Sequence, residues 1–130
     1  MGLISVLVAA LTGYAFGAAW YMTLSKPWVE AAGIDCDETG KPRNRNATPF
    51  ILSAVAMIVV SGMMRHVFVM SGIETFSSGL VSGLGIGLFF ISPWIMINNA
   101  YGDRPFRLTL IDGGYATFGC AIIGAVLTLF

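Results

Sequence analysis

The chain has 130 residues, 56% of them hydrophobic and 11% charged, which is far more apolar than a soluble domain needs to fill one core. A formal net charge of zero, with neither a basic block nor an acidic tail, leaves no electrostatic footprint for nucleic acid. Two cysteines, Cys36 in the most polar stretch and Cys120 deep in an apolar one, exclude a framework of disulfides and are expected to be free.

A helix needs roughly 20 apolar residues to cross the hydrocarbon layer of a membrane. Four segments meet this, at 3–24, 48–70, 76–98 and 108–130. The first, within "MGLISVLVAALTGYAFGAAWYMTL", lacks the basic start of a signal peptide and stays apolar beyond a signal's usual core, so it is expected to be a retained span. Val6 stands where a myristoylation motif wants Ser or Thr, so no lipid anchor is indicated. Gly13 and Gly17 mark one face of this helix for close packing, and Trp20 and Tyr21 lie near its end.

A long polar loop is expected at 25–47. Its "DCDETG" (35–40) has the opening rhythm of a calcium loop, but Asn46 holds the position of the bidentate Glu, and Pro42, Arg43 and Arg45 intervene. It reads as a solvated loop. "NAT" (46–48) matches a glycosylation sequon but directly precedes Pro49, on the expected inner face. In the second span Arg65 lies about 25 Å from Thr48, at the outer boundary, where it and His66 anchor the helix within reach of Glu74 across the turn at 71–75. One histidine gives no set of metal ligands.

The third span carries Gly79, Gly83 and Gly87 at spacing four, and the fourth carries Ala116, Cys120 and Gly124 at the same spacing. Packing inside one subunit is the expected use of these faces, with a dimer seam along the three glycines as the alternative. Pro93 cannot donate to the Phe89 carbonyl and is expected to kink or end its helix. After the loop "NAYGDRPFR" (99–107), Asp112 lies about 6 Å along a helix starting at Leu108, near the inner boundary. A helix N-terminus favours a carboxylate there, so a cap and a pocket wall are both open readings.

The expected fold is therefore an all-α membrane protein, residues 1–130 forming a single integral domain of four transmembrane helices arranged as two antiparallel hairpins in one bundle. Six of the seven basic residues, Lys26, Lys41, Arg43, Arg45, Arg104 and Arg107, fall in the first and third loops, against Arg65 alone near the other face. The positive-inside rule then places those loops in the cytoplasm and both termini outside. "SKPW" (25–28) and "ISPW" (91–94) hint at a parallel internal repeat.

In that arrangement the inner helix ends bring Asp112 together with Arg104, Arg107, Tyr115, Asn98, Asn99, Tyr101, Trp20, Tyr21, Trp28 and Trp94. An aromatic belt normally decorates both faces, whereas all three tryptophans lie on one, which favours a polar-aromatic pocket opening inward. No carboxylate lies at mid-depth, which weakens any proton relay across the bilayer.

The pattern Gly13, Gly17, Trp20, Tyr21 (G-x-x-x-G-x-x-W-Y) and the "LIDGGY" of residues 110–115 resemble a family of small bacterial four-helix membrane proteins, domain of unknown function 1761, and the likeness runs over the whole chain. Where the family usually has Gly-Lys before the loop tryptophan, this chain has Ser25-Lys26-Pro27-Trp28. The resemblance implies architecture and a bacterial origin, and with them the expected setting is an inner membrane; it implies no activity.

The expected function is binding or transport of a small solute or lipid headgroup at the cytoplasmic face by a homo-oligomer, because helices packed at roughly 8 to 10 Å leave no pore inside four spans. Membrane lipids are the expected surroundings. An accessory or assembly subunit of a larger membrane complex is a second reading. A lipid-modifying enzyme using Asp112 with Arg104 or Arg107 is a third, ranked last because no catalytic pair and no metal or cofactor set is visible.

Overall fold

The computed structural model describes residues 2–43 and 46–130. Arg45, counted above among the basic loop residues, lies outside the described residues, as does Met1. Among the described residues the fold is all-α, with five helices: α1 (Gly2–Thr23), α2 (Ser25–Ala32), α3 (Thr48–Ser71), α4 (Phe76–Tyr101) and α5 (Phe106–Leu127). All except α2 are long and apolar enough to cross a membrane.

The elements start and stop where backbone chemistry requires. α3 opens on Thr48 with Pro49 in its first turn, where a missing N–H costs nothing. It ends at Gly72, whose left-handed conformation (φ 69°) lets its N–H reach the Phe68 carbonyl. Thr75 then starts α4 through a capping box, its hydroxyl accepting from the Ser78 N–H while the Ser78 hydroxyl accepts from the Thr75 N–H.

Three local expectations are corrected. The segment expected to be loop from Ser25 begins with α2, which closes on Gly33 in the left-handed conformation. Its eight residues are too few to show helical periodicity. Of the two outcomes expected at Pro93, α4 does not end there, and the local irregularity takes the form of a change in hydrogen-bond register. Residues Gly87–Ile91 adopt a π-turn, in which the Ser92 N–H bonds to the Gly87 carbonyl five residues back, and the helix resumes through Pro93 to Tyr101. Finally, α5 begins at Phe106, two residues before the expected start, and ends at Leu127.

α5 is the centre of the molecule. In its most apolar stretch 56% of residues are buried, against 28% for α1 and 11% for each of α3 and α4. Small residues on several sides of α5, including Gly113, Ala116, Gly119, Cys120 and Gly124, let neighbours approach from more than one direction. α1 and α3 pack as one hairpin and α4 and α5 as the other, joined through α1 on α5.

Gly79, Gly83 and Gly87 lie directly on the α5 backbone. A Cβ at Gly83 would collide with the Cys120 carbonyl, one at Gly87 with that of Ala116, and one at Gly79 would come within 2.6 Å of the Gly124 carbonyl. The face considered for a dimer seam is thus consumed inside the chain. α3 and α4, although joined by a tight turn, form no packed interface with each other. The gap between them positions the site.

Candidate functional site

The site is assembled where α1 crosses the first half of α5. Gly13 and Gly17 form a groove on α1 that receives α5 side chains. A Cβ at Gly13 would stand 2.9 Å from Ile123 Cδ1, and one at Gly17 would stand 2.8 Å from the Tyr115 hydroxyl. One turn further on, Trp20 lies over Gly114 and donates its indole N–H to the Ile111 carbonyl at 2.9 Å. Tyr21, next in sequence, donates its hydroxyl proton to Asp112 Oδ1 at 2.6 Å. That length is typical of a bond from a neutral hydroxyl to a carboxylate, among the stronger hydrogen bonds available to side chains.

Aromatic rings hold this contact in place. Tyr21 meets Tyr115 and Trp28 edge-on, with centroids 5.4 Å and 5.7 Å away. Phe16 bridges Trp20 and Tyr115 at 5.7 Å and 6.1 Å. Trp28 belongs to α2, which the α4–α5 loop and the first turn of α5 hold across this end of the bundle: Arg104 donates to the Ala32 carbonyl, and Arg107 Nη2 lies 3.8 Å from Glu30 Oε2. A guanidinium at the C-terminal carbonyls of a helix also complements its dipole.

Beside the Tyr21–Asp112 contact, a cavity of about 530 Å³ fills the gap between α3 and α4. That is within the range of small-molecule sites, roughly 300 to 1,000 Å³. Asp112 and Tyr115 line one end with Tyr21 and Trp28, while Cys120 and Ile123 lie deeper on α5. Met57 and Val60 of α3 and Ile91 and Ile95 of α4 supply the walls. From Asp112 to Ile123 the cavity follows α5 for about 16 Å at the rise of an α-helix. It has one charged end and an otherwise apolar length.

Of the residues expected at a pocket, Asp112, Tyr21, Trp28 and Tyr115 come together on its lining. Trp20 stands behind Asp112 and fixes its turn through Ile111. The others lie apart. Trp94 is 67% exposed on the outer side of α4, Tyr101 and Asn98 are exposed, and Asn99 donates to Thr109 Oγ1 at 3.1 Å, tying α4 to α5. Arg104 and Arg107 serve α2, so the partner of Asp112 is a tyrosine hydroxyl where an arginine was expected. Asp112 itself lies about 9 Å inside α5, too deep to cap it; the Pro105 N-cap has no side-chain cap bond.

Sequence reasoning missed Met57, Ile91, Ile95 and Ser92. Apolar wall residues carry no mark that separates them from residues facing lipid. Ser92 was findable from its place before Pro93: its hydroxyl bonds the Gly87 carbonyl at 2.7 Å and lies 3.0 Å from the Gly113 carbonyl and 3.2 Å from Thr117 Oγ1. This polar knot joins the π-turn to α5 one residue after Asp112. Irregular backbone at membrane depth has to be satisfied in this way.

Among the described residues no group of three or more His, Cys, Asp or Glu is placed to hold a metal. Cys120 and Asp112 share the cavity but are eight residues apart, about 12 Å along the helix, too far for one to act as base to the other. The arrangement suits binding: an acceptor-rich end on an apolar pocket.

No curated protein and no solved structure matches the chain. A family model does, over residues 4–128, and both patterns that meet at the Tyr21–Asp112 contact lie within that match. The chain therefore belongs to the family described as protein of unknown function, DUF1761.

Proposed function

We propose that this multi-pass membrane protein binds a small amphipathic molecule in the gap between α3 and α4, with the polar end of the molecule at Asp112. The observation that carries the reading is one carboxylate, held by Tyr21, at the end of an otherwise apolar cavity of about 530 Å³. An acid serving only as a helix cap would face the N-terminus of α5, whereas this one lies in the second turn against a ring of aromatics. An ionisable group at membrane depth is costly to keep and is by default a mark of function.

In this reading the membrane is a bacterial inner membrane, the Asp112 end of the cavity is on the cytoplasmic side, and both termini are outside. The gap between α3 and α4 opens sideways, so the ligand arrives from the lipid phase. Any homo-oligomer forms through the exposed apolar faces of α1, α3 or α4, since the glycine face of α4 is occupied by α5.

Native mass spectrometry from mild detergent tests the reading, comparing the chain with a Met57→Trp variant that fills the cavity. The unmodified chain is expected to retain small molecules that the filled variant loses, with both equally helical by circular dichroism. Equal retention by the two would overturn the reading.

A further inference from the structure

We infer that the occupant of this cavity is a single-chain amphiphile whose head is a protonated amine, an inference that rests on the binding reading above. Each hydroxyl on the cavity lining already has an acceptor within the protein: Tyr21 donates to Asp112 Oδ1 at 2.6 Å, Ser53 to the Pro49 carbonyl at 2.7 Å, and Tyr115, more weakly, to Met57 Sδ at 3.4 Å. A hydroxyl has one proton to give, so what these groups still offer a ligand is lone pairs. The backbone N–H groups of the helices are spent on their own ladders. Asp112 adds a carboxylate whose Oδ2 has no donor among the described residues.

Positive charge is absent from the lining. The nearest arginines, Arg104 and Arg107, are engaged with Ala32 and Glu30 of α2. Arg65 lies in a separate recess with Glu74, against Gly2 at the other end of the bundle. A fatty acid or a phosphate head would therefore bring acceptors and negative charge to an end made of acceptors and negative charge. Among the described residues the indole N–H of Trp28 is the one uncommitted nitrogen donor at that end, and a neutral N–H does not offset a carboxylate.

An ammonium fits on both counts. It brings N–H donors to Oδ2 and a positive charge to the carboxylate, and Tyr21, Trp28 and Tyr115 line that end with aromatic rings, groups that attract cations. The apolar walls leave room for one alkyl chain running toward Ile123.

Binding of dodecylamine and of laurate, which share a chain and differ in the head, tests this by native mass spectrometry in non-ionic detergent. The amine is expected to bind at least about ten-fold more tightly than laurate, and Asp112→Asn to bring the two within about two-fold of each other. Laurate binding as tightly as the amine would overturn the inference while leaving the cavity a binding site. Binding of neither probe, or of both equally to the Met57→Trp variant, would remove the binding reading itself.

A second measurement covers the case in which Asp112→Asn fails to fold. In a Cys36→Ser chain with Asp112 intact, dodecylamine is expected to slow labelling of Cys120 by an apolar maleimide, and laurate to leave it unchanged. Protection by laurate alone would overturn the inference.

Discussion

At the scale of single residues, the Tyr21–Asp112 bond ties the candidate site to the packing of α1 on α5. Interhelical hydrogen bonds in membranes contribute about 0.6 kcal/mol on average, and a charged acceptor raises that, so Tyr21→Phe is expected to destabilise the chain by about 1 to 2 kcal/mol. The loss should come mostly from a carboxylate left without its donor at a half-buried place. Asp112→Asn added to the Tyr21→Phe chain should therefore recover part of the loss. Unfolding by SDS titration in mixed micelles, followed by circular dichroism, checks the sign; a double variant less stable than the single one would overturn this account. Tryptophans and one acid at the end of an apolar run are legible in sequence because membrane segments keep few such groups. Which partner the acid takes is not legible, since the arginines nearest to Asp112 in sequence are claimed by a helix that the sequence did not reveal.

At the scale of elements, the glycines of α4 separate two meanings of one residue type. A side chain at Gly83 runs into the α5 backbone, while one at Gly85 meets nothing within 4 Å. Gly83→Leu is expected to cost about 3 kcal/mol or to prevent folding. Gly85→Leu should stay within about 0.5 kcal/mol of the parent in the same titration. Equal effects would mean that α4 does not pack as described. The spacing of Gly79, Gly83 and Gly87 announced a close approach but not its target, because small residues show where a backbone is admitted and not which one. α2 carries a prediction of its own. Arg104→Ala removes the donor to the Ala32 carbonyl and should speed amide exchange across 25–32 by roughly three- to ten-fold, leaving α3 unchanged. Unchanged exchange in α2 would show that Arg104 does not hold it. Pro93 announced an irregularity but not its form: proline forbids one hydrogen bond, and the helix shifts register just before it instead of stopping.

At the scale of the whole molecule, hydropathy made the number and length of the spans legible, because a span must be apolar along its length whatever it packs against. It could not rank them, and the ranking decides the architecture: α5 is enclosed while α3 and α4 stay mostly exposed, though their apolar lengths are alike. The proposed orientation predicts that a reporter active only in the cytoplasm is silent when fused after Phe130 and active when inserted after Gly40. The opposite pattern would invert the sidedness of the cavity.

The central place of α5 also bears on how the protein is made. Ribosomes deliver α1, α3 and α4 to the membrane before the helix that α1 and α4 are built around. Until α5 emerges, the backbone of α4 at its glycines and the groove on α1 face lipid without a partner. The Tyr21–Asp112 contact joins groups 91 positions apart. The proposed binding site is thus the last thing to form, and a chain stalled before α5 would have three spans and no Asp112 end to the cavity.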